Sequence, residues 1–301
     1  MAGVPSFPLH TPRTNAEVPL RFEDVTQDGR LVLESLPTAL FPTVWSVLAR
    51  DQGIQAIYGA GIVPILSRLL LEGTPGPFPA TATAAAEGAS RLVRTQEGRF
   101  LLEMWSDLRV HAGRTYAPPG SASGGPLALA GRVFAEHVLT RPFAPPGARR
   151  VASLDFDGAP EVRESEPAPL PLDAPATLPE GARPLEPVRV LDAVPVTFGV
   201  LHTDSNGHVN SLVYLRLFEE AALRRFASLG QEPGLLGRAM DIAYRKPCFV
   251  GDTVRVAQQA FLDLGGRPCV AAALVAEKDT ASDETLAAAR PRAFAWMRFE
   301  R

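Results

Sequence analysis

Between residues 141 and 187 proline recurs too often for a helix and apolar residues too rarely for a core strand, so this stretch divides the chain. It opens on RPFAPPGARR and continues later as ESEPAPLPLDAPATLPEGARPLEP. Proline has no backbone N–H and a fixed φ, so such density favours an extended, semi-rigid connector over a floppy tether. Within it, VASLDFDG is expected to add a short edge strand. The division leaves an N-terminal unit over 1–140, a linker over 141–187 and a C-terminal unit over 188–301, consistent with two domains of about 100–150 residues in a 301-residue chain. A smaller loop, PPGSASGGP at 118–126, interrupts the N-terminal half.

Composition removes several classes of function. With 46% hydrophobic and 21% charged residues and a net charge of −3, the chain has no basic surplus for tracking phosphates, and no nucleic-acid partner is expected. No uninterrupted apolar run reaches the roughly 18 residues of a membrane span. The first residues, MAGVPSFPLHTPRTNAEVPL, lack the charged and apolar regions of a signal peptide, so no membrane partner and a cytoplasmic location are expected. The two cysteines, Cys248 and Cys269, have neither CxxC spacing nor neighbouring histidines. They read as small buried residues, with no metal and no cofactor called for.

In the C-terminal unit, VRVLDAVPVTFG reads as a strand closed by glycine. From Val209 to about Ser228 there is no proline or glycine, and Leu, Ala, Glu and Arg dominate, which predicts a helix with Arg216, Glu219, Glu220 and Arg224 on one side. Most of its remaining circumference is apolar and needs a wrapping. The following runs RAMDIAYRKP, DTVRVAQQAFL, PCVAAALVAE and RPRAFAWMRFER supply antiparallel strands, with turn signals at Val250-Gly251-Asp252 and Leu264-Gly265-Gly266 separating the first three. The N-terminal half is read on the same plan. There RLVLESLPTALF is the first strand, GIVPILSRLLLEG a helix starting near Gly61, and SRLVRTQ, RFLLEMWSDLRVH and LALAGRVFAEHVL later strands. Aligning GIVPILSRLLLE with VNSLVYLRLFEE, Arg68 on Arg216 and Glu72 on Glu220, suggests a duplication.

The segment HTDSNGHVNSLVYLRLFEEA, residues 202–221, concentrates polar side chains just before that helix. Asp204 and Asn206 are expected caps, and a helix start presents unpaired N–H groups with partial positive charge. Such a place can hold an oxyanion while a carboxylate activates water or attacks a carbonyl carbon directly.

Asp204, Asn206, His208, Val209, Asn210 and Tyr214 form Asp-x-Asn-x-His-Val-Asn-x-x-x-Tyr, which resembles the signature of hotdog-fold thioesterases of the 4-hydroxybenzoyl-CoA thioesterase-like type. The likeness is strongest to the tandem acyl-ACP thioesterases of plants and bacteria. Tyr244-Arg245-Lys246-Pro247 and Val250-Gly251-Asp252 are similar to the strand and turn after the helix in that family, and the resemblance covers about 188–301. It implies an α+β tandem (double) hotdog, each unit a long helix wrapped by a curved antiparallel sheet, the two forming an intramolecular pseudo-dimer open to further homo-oligomerisation. It also implies hydrolysis of an acyl thioester carried on acyl carrier protein or CoA. The catalytic roles then fall on Asp204, Asn206, His208 and Glu220, with Asn210 and Tyr214 binding substrate. Asn206 and His208 would orient substrate or water, and Asp204 with Glu220 would supply the carboxylate chemistry, either one as base or nucleophile.

Other readings stand beside this one. Asp204 and Asn206 read alone are helix caps, Glu220 is a surface partner for Arg216 or Arg224 at four-residue spacing, and Tyr214 is packing. His202-Thr203-Asp204 matches part of an iron facial triad, but no histidine follows His208 to complete it. The run GSASGG has alanine where a nucleophile elbow needs serine. A hotdog also supports hydratase or dehydratase chemistry on thioesters, and a non-catalytic acyl-thioester binding protein would keep the same pocket.

Overall fold

The first regular element is β1 (Thr14–Pro19), in a computed structural model that describes residues 3–116, 124–164, 178–282, 286 and 289–301. The residues expected to form the first strand, 30–41, are instead largely helical. A 3-10 stretch covers Leu33–Ala39, a π turn Phe41–Trp45, and α1 (Ser46–Leu48) leads to α2 (Gln52–Gly59). Leu33, Leu36, Ala39 and Leu40 are buried at spacings of three and four, a helical pattern that the apolar composition had concealed. Pro37 has no N–H to give to a helical ladder, and the segment runs in short pieces rather than as one α-helix. Asp51 caps α2 by accepting the Ile54 N–H at 2.9 Å.

The converse correction falls on residues 61–73. They form no helix but a strand, β2 (Val63–Gly73), in which Leu69, Leu70 and Leu71 are all buried. A strand covered on both faces shows a continuous apolar run instead of alternation, so this leucine-rich run imitates a helix. The alignment of 61–72 with 209–220 therefore sets a strand against a helix and falls. The expected later strands are present as β3 (Thr83–Arg94), β4 (Phe100–His111) and β5 (Leu127–Thr140). Most of the loop at 118–126 lies outside the described residues. The two-residue β6 (Arg163–Glu164) runs parallel beside β3, whereas VASLDFDG forms no strand and instead buries Val151 and Leu154.

By its contacts the chain divides into residues 2–169 and 170–301. In the first unit the sheet order is β1-β3-β4-β5-β2. The helical pieces press onto it at Gly88 of β3, where a Cβ would come within 2.4 Å of Thr43 Oγ1, so only glycine permits the approach.

In the same unit His137 of β5 sits in the interior with its ring centre 5.2 Å from that of Trp45, the two planes perpendicular, and its Nδ1 has no hydrogen-bond partner. Burial pushes its pKa down to about 4, because the charged imidazolium would lose its water. The unfolded chain, with an ordinary histidine near 6.5, therefore binds the proton more readily than the native one. The stability this represents, about 3 kcal/mol, is present above pH 6.5 and lost as pH falls toward 4. We expect urea midpoints to drop between pH 7 and pH 4.5 by less in His137→Phe than in the wild type. Parallel pH profiles for the two proteins would contradict this.

The second unit opens with three short strands, β7 (Arg183–Pro184), β8 (Val190–Leu191) and β9 (Val196–Thr197), all pairing with one edge. The expected strand at 188–199 is thus two pieces, interrupted around Pro195, which has no N–H for the ladder. Next comes α3 (Ser211–Ser228), then β10 (Leu236–Tyr244), β11 (Thr253–Leu262), β12 (Pro268–Ala276) and β13 (Ala293–Glu300) in the order β10-β13-β12-β11. In both units the strand before the helical layer pairs with the second strand after it, and the first strand after it takes the far edge. This shared permutation is the structural case for two hotdog units in tandem, the first with a broken helical layer and the second with a long helix.

α3 buries Tyr214, Leu215, Leu217, Phe218, Ala221, Ala222 and Phe226, a wide stripe along its length. It ends where the Gly230 N–H reaches Ala227 O at 3.1 Å and the Gln231 N–H reaches Phe226 O at 2.9 Å, the paired bonds of a Schellman stop. Arg224 grips Asp192 through two bonds of 3.1 and 2.6 Å, and Arg225 pairs with buried Glu186, whose Oε1 also accepts the Ala260 N–H at 2.8 Å. The strand pieces before the helix are thereby tied to both α3 and β11. Among the described residues no helix is long and apolar enough to cross a membrane.

Candidate active site

The polar segment before α3 folds into a tight loop closed by an antiparallel bridge between Thr203 and Val209. Across it the Asp204 N–H donates to His208 O at 3.1 Å and the Gly207 N–H to Asp204 O at 3.0 Å. Gly207 has a φ of +75°, in the left-handed region, which lets the chain reverse in so few residues. Asp204 Oδ1 accepts the Asn206 N–H at 2.8 Å, a side chain standing in for a backbone turn. Its other oxygen, Oδ2, carries no hydrogen bond among the described residues. The chain order Asp-x-Asn-x-His thus places three functional side chains on one short loop, Asn206 and His208 exposed and Asp204 partly so.

The expectation that Asp204 or Asn206 caps the helix is corrected. The N-cap is Asn210, whose Oδ1 accepts the Leu212 N–H at 2.8 Å while its own carbonyl takes the Val213 N–H at 3.0 Å. Two of the first donors of α3 are thus satisfied by the cap itself. Replacing Asn210 by alanine should cost about 1 kcal/mol of stability, the typical value of a cap. Chemical denaturation checks this, and a loss below about 0.3 kcal/mol would contradict the capping role.

The loop is anchored from beneath. The Val209 N–H donates to Cys248 O at 2.9 Å and the Asn210 N–H to His202 O at 2.8 Å. His202 in turn accepts the Gly199 N–H on Nδ1 at 2.9 Å, with its ring 5.6 Å from Phe198. Tyr214, in the first turn of α3, is buried, and its hydroxyl accepts the Cys248 N–H at 3.0 Å. Burial raises the pKa of this hydroxyl and keeps it protonated. Both cysteines are buried and free, as their bland reading had it, and burial pushes the Cys248 thiol up, away from a reactive thiolate.

Glu220 lies apart from the loop within this unit. It follows Asn210 by ten positions, about 15 Å along a helix axis at about 1.5 Å per residue. It is exposed and meets Arg224 at 3.7 Å, the surface ion pair that its spacing allowed. Two neighbours of the loop were not singled out from the sequence, Phe249, whose ring stands 5.3 Å from that of His208, and the backbone of Cys248. The signal was their position inside the strand-and-turn segment 244–252, already similar to the family pattern.

Fold and loop together define a tandem-hotdog protein with a polar loop at the start of α3 in its second unit. Residues 206–259, from inside that loop through α3 and β10 into β11, match the model of the thioesterase superfamily. No curated protein is significantly similar in sequence. Among solved structures, a Lactobacillus plantarum protein provisionally assigned as an oleoyl thioesterase superposes with a TM-score of 0.64 at 12% identity, covering 97% of each chain. An acyl-ACP thioesterase of Bacteroides thetaiotaomicron gives 0.58 at 14% identity, over 96% of this chain and 98% of that one. A MaoC-like dehydratase of Phytophthora capsici gives 0.50 at 11% identity, over 97% and 96%. At these identities the likeness is one of fold.

Proposed function

We propose that this chain hydrolyses an acyl thioester to a free acid and a thiol, with the chemistry on the 203–209 loop. The observation that carries the reading is that Asp204, Asn206 and His208 share one loop, of which residues 206 onward fall in the segment matching the thioesterase superfamily. In this reading Asp204 takes a proton from water as the water oxygen attacks the thioester carbon. Asn206 and His208 orient water and carbonyl, the tetrahedral oxyanion collapses, the C–S bond breaks, and the thiolate leaves to be protonated. The substrate is carried on acyl carrier protein or CoA, in line with the acyl-ACP thioesterase among the structural neighbours.

Incubating the protein with a panel of acyl-CoA and acyl-ACP thioesters while following free thiol tests this directly. Thiol release that saturates with substrate is the expected result. An absorbance change on an enoyl thioester without thiol release would make the protein a hydratase, and saturable binding with neither would make it a binding module.

A further inference from the structure

We propose that Tyr214 is a positioning residue that orients the His208 imidazole through the 248–252 turn; the inference rests on the reading of His208 as part of a thioester site. The connection is continuous. The Tyr214 hydroxyl accepts the Cys248 N–H at 3.0 Å, while the carbonyl of Cys248 takes the Val209 N–H at 2.9 Å. One residue is thus clamped both to α3 and to the closing residue of the polar loop. The residue after it is Phe249, whose ring meets His208 edge to face at 5.3 Å. The rest of the turn is held from the other side. The Phe249 N–H donates to Asp252 Oδ2 at 3.0 Å, the Gly251 N–H to Phe198 O at 2.8 Å, and the Phe198 N–H to Asp252 O at 2.9 Å.

The edge contact sets the ring plane of His208, because aromatic pairs prefer edge-to-face and offset arrangements to a face-to-face sandwich. His208 itself stands exposed on a loop and has no hydrogen bond to its ring among the described residues, so the Phe249 contact is what orients it. Tyr214 is held in turn by Tyr244, whose ring lies 5.5 Å away and whose hydroxyl donates to Ser211 O at 3.2 Å. The Tyr214 hydroxyl therefore acts two residues removed from the chemistry. Removing it leaves the Cys248 N–H buried without its acceptor and frees the turn to shift.

Histidine-labelled protein gives the test, with the His208 ring signals assigned by their loss in His208→Gln. In Tyr214→Phe these signals should move in the direction seen for Phe249→Leu, while those of His137 in the other unit stay in place. The kcat for thiol release should fall about tenfold with KM within about twofold, the pattern of a group felt mainly in the transition state. In a His208→Gln background, Tyr214→Phe should change kcat by less than about twofold, because its effect passes through the ring already removed. Phe249 is partly exposed, so Phe249→Leu keeps the test sound should Tyr214→Phe fail to fold; unchanged kcat in folded Phe249→Leu overturns the inference. Unmoved His208 signals in folded Tyr214→Phe, or fully additive effects with His208→Gln, overturn it too. The ring signals need no turnover, so absent thiol release in the wild type counts against the proposed function and leaves this arm to judge the positioning separately.

Discussion

Asp204→Asn should lower kcat for thiol release by about 10²–10⁴ while leaving the fold intact, which is the usual cost of removing a positioned base. The structure makes the substitution unusually selective. Asp204 Oδ1 accepts the Asn206 N–H at 2.8 Å, and an asparagine Oδ1 can accept the same bond, so the turn survives. Asn210, not Asp204, caps α3, so the helix is untouched. What disappears is the negative charge, and with it the capacity to take a proton from water or to attack the thioester carbon. A thermal midpoint within a few degrees of wild type should accompany the lost turnover. If Asp204 serves the turn alone, the substitution is silent in both measurements. A folded variant keeping more than about a tenth of wild-type kcat would rule out an essential base or nucleophile at this position.

Phe226→Ala should cost about 3–5 kcal/mol of stability, as aromatic deletions from a packed core do. Phe226 lies in the last turns of α3 with about 1% of its surface exposed, and its ring meets that of Phe299 on β13 edge-on at 5.1 Å. The truncation loses both the buried area and this ring contact, and α3 and the sheet cannot close over the space without breaking the ties from Arg224 and Arg225 to the strand pieces before the helix. Because whole domains are stable by only about 5–15 kcal/mol, the variant should unfold at a far lower urea concentration. A loss under about 1.5 kcal/mol would show that this end of the helix is not packed as described.

Much of the second unit was legible before folding, because its signals are local. The run from Val209 to Ser228 has no helix breaker, and glycine turns separate the first three strands after it, so four strands and one helix fell where periodicity set them. The polar loop was legible for the same reason, since its residues are neighbours in sequence. The first unit misled in two places. At 33–45 a helical spacing of buried leucines was hidden inside a run that includes Pro37, and at 63–73 burial on both faces erased the alternation that marks a strand. In both, the deciding quantity was which faces are covered, and a single segment carries no record of its coverings.

The site divides along the same line. Sequence alone determined that Asp204, Asn206 and His208 must lie together, because five residues joined by a tight turn at Gly207 have nowhere else to go. Only the tertiary structure decided what each neighbour does. It gave the cap to Asn210, set Glu220 out along α3 beside Arg224, buried the Tyr214 hydroxyl on the backbone of Cys248, and brought Phe249 from forty-one positions away against His208. Those roles depend on how a helix and a hairpin turn pack across one another. Contacts of that kind are set by the burial of α3 against its sheet, a property of the whole unit and of no segment within it.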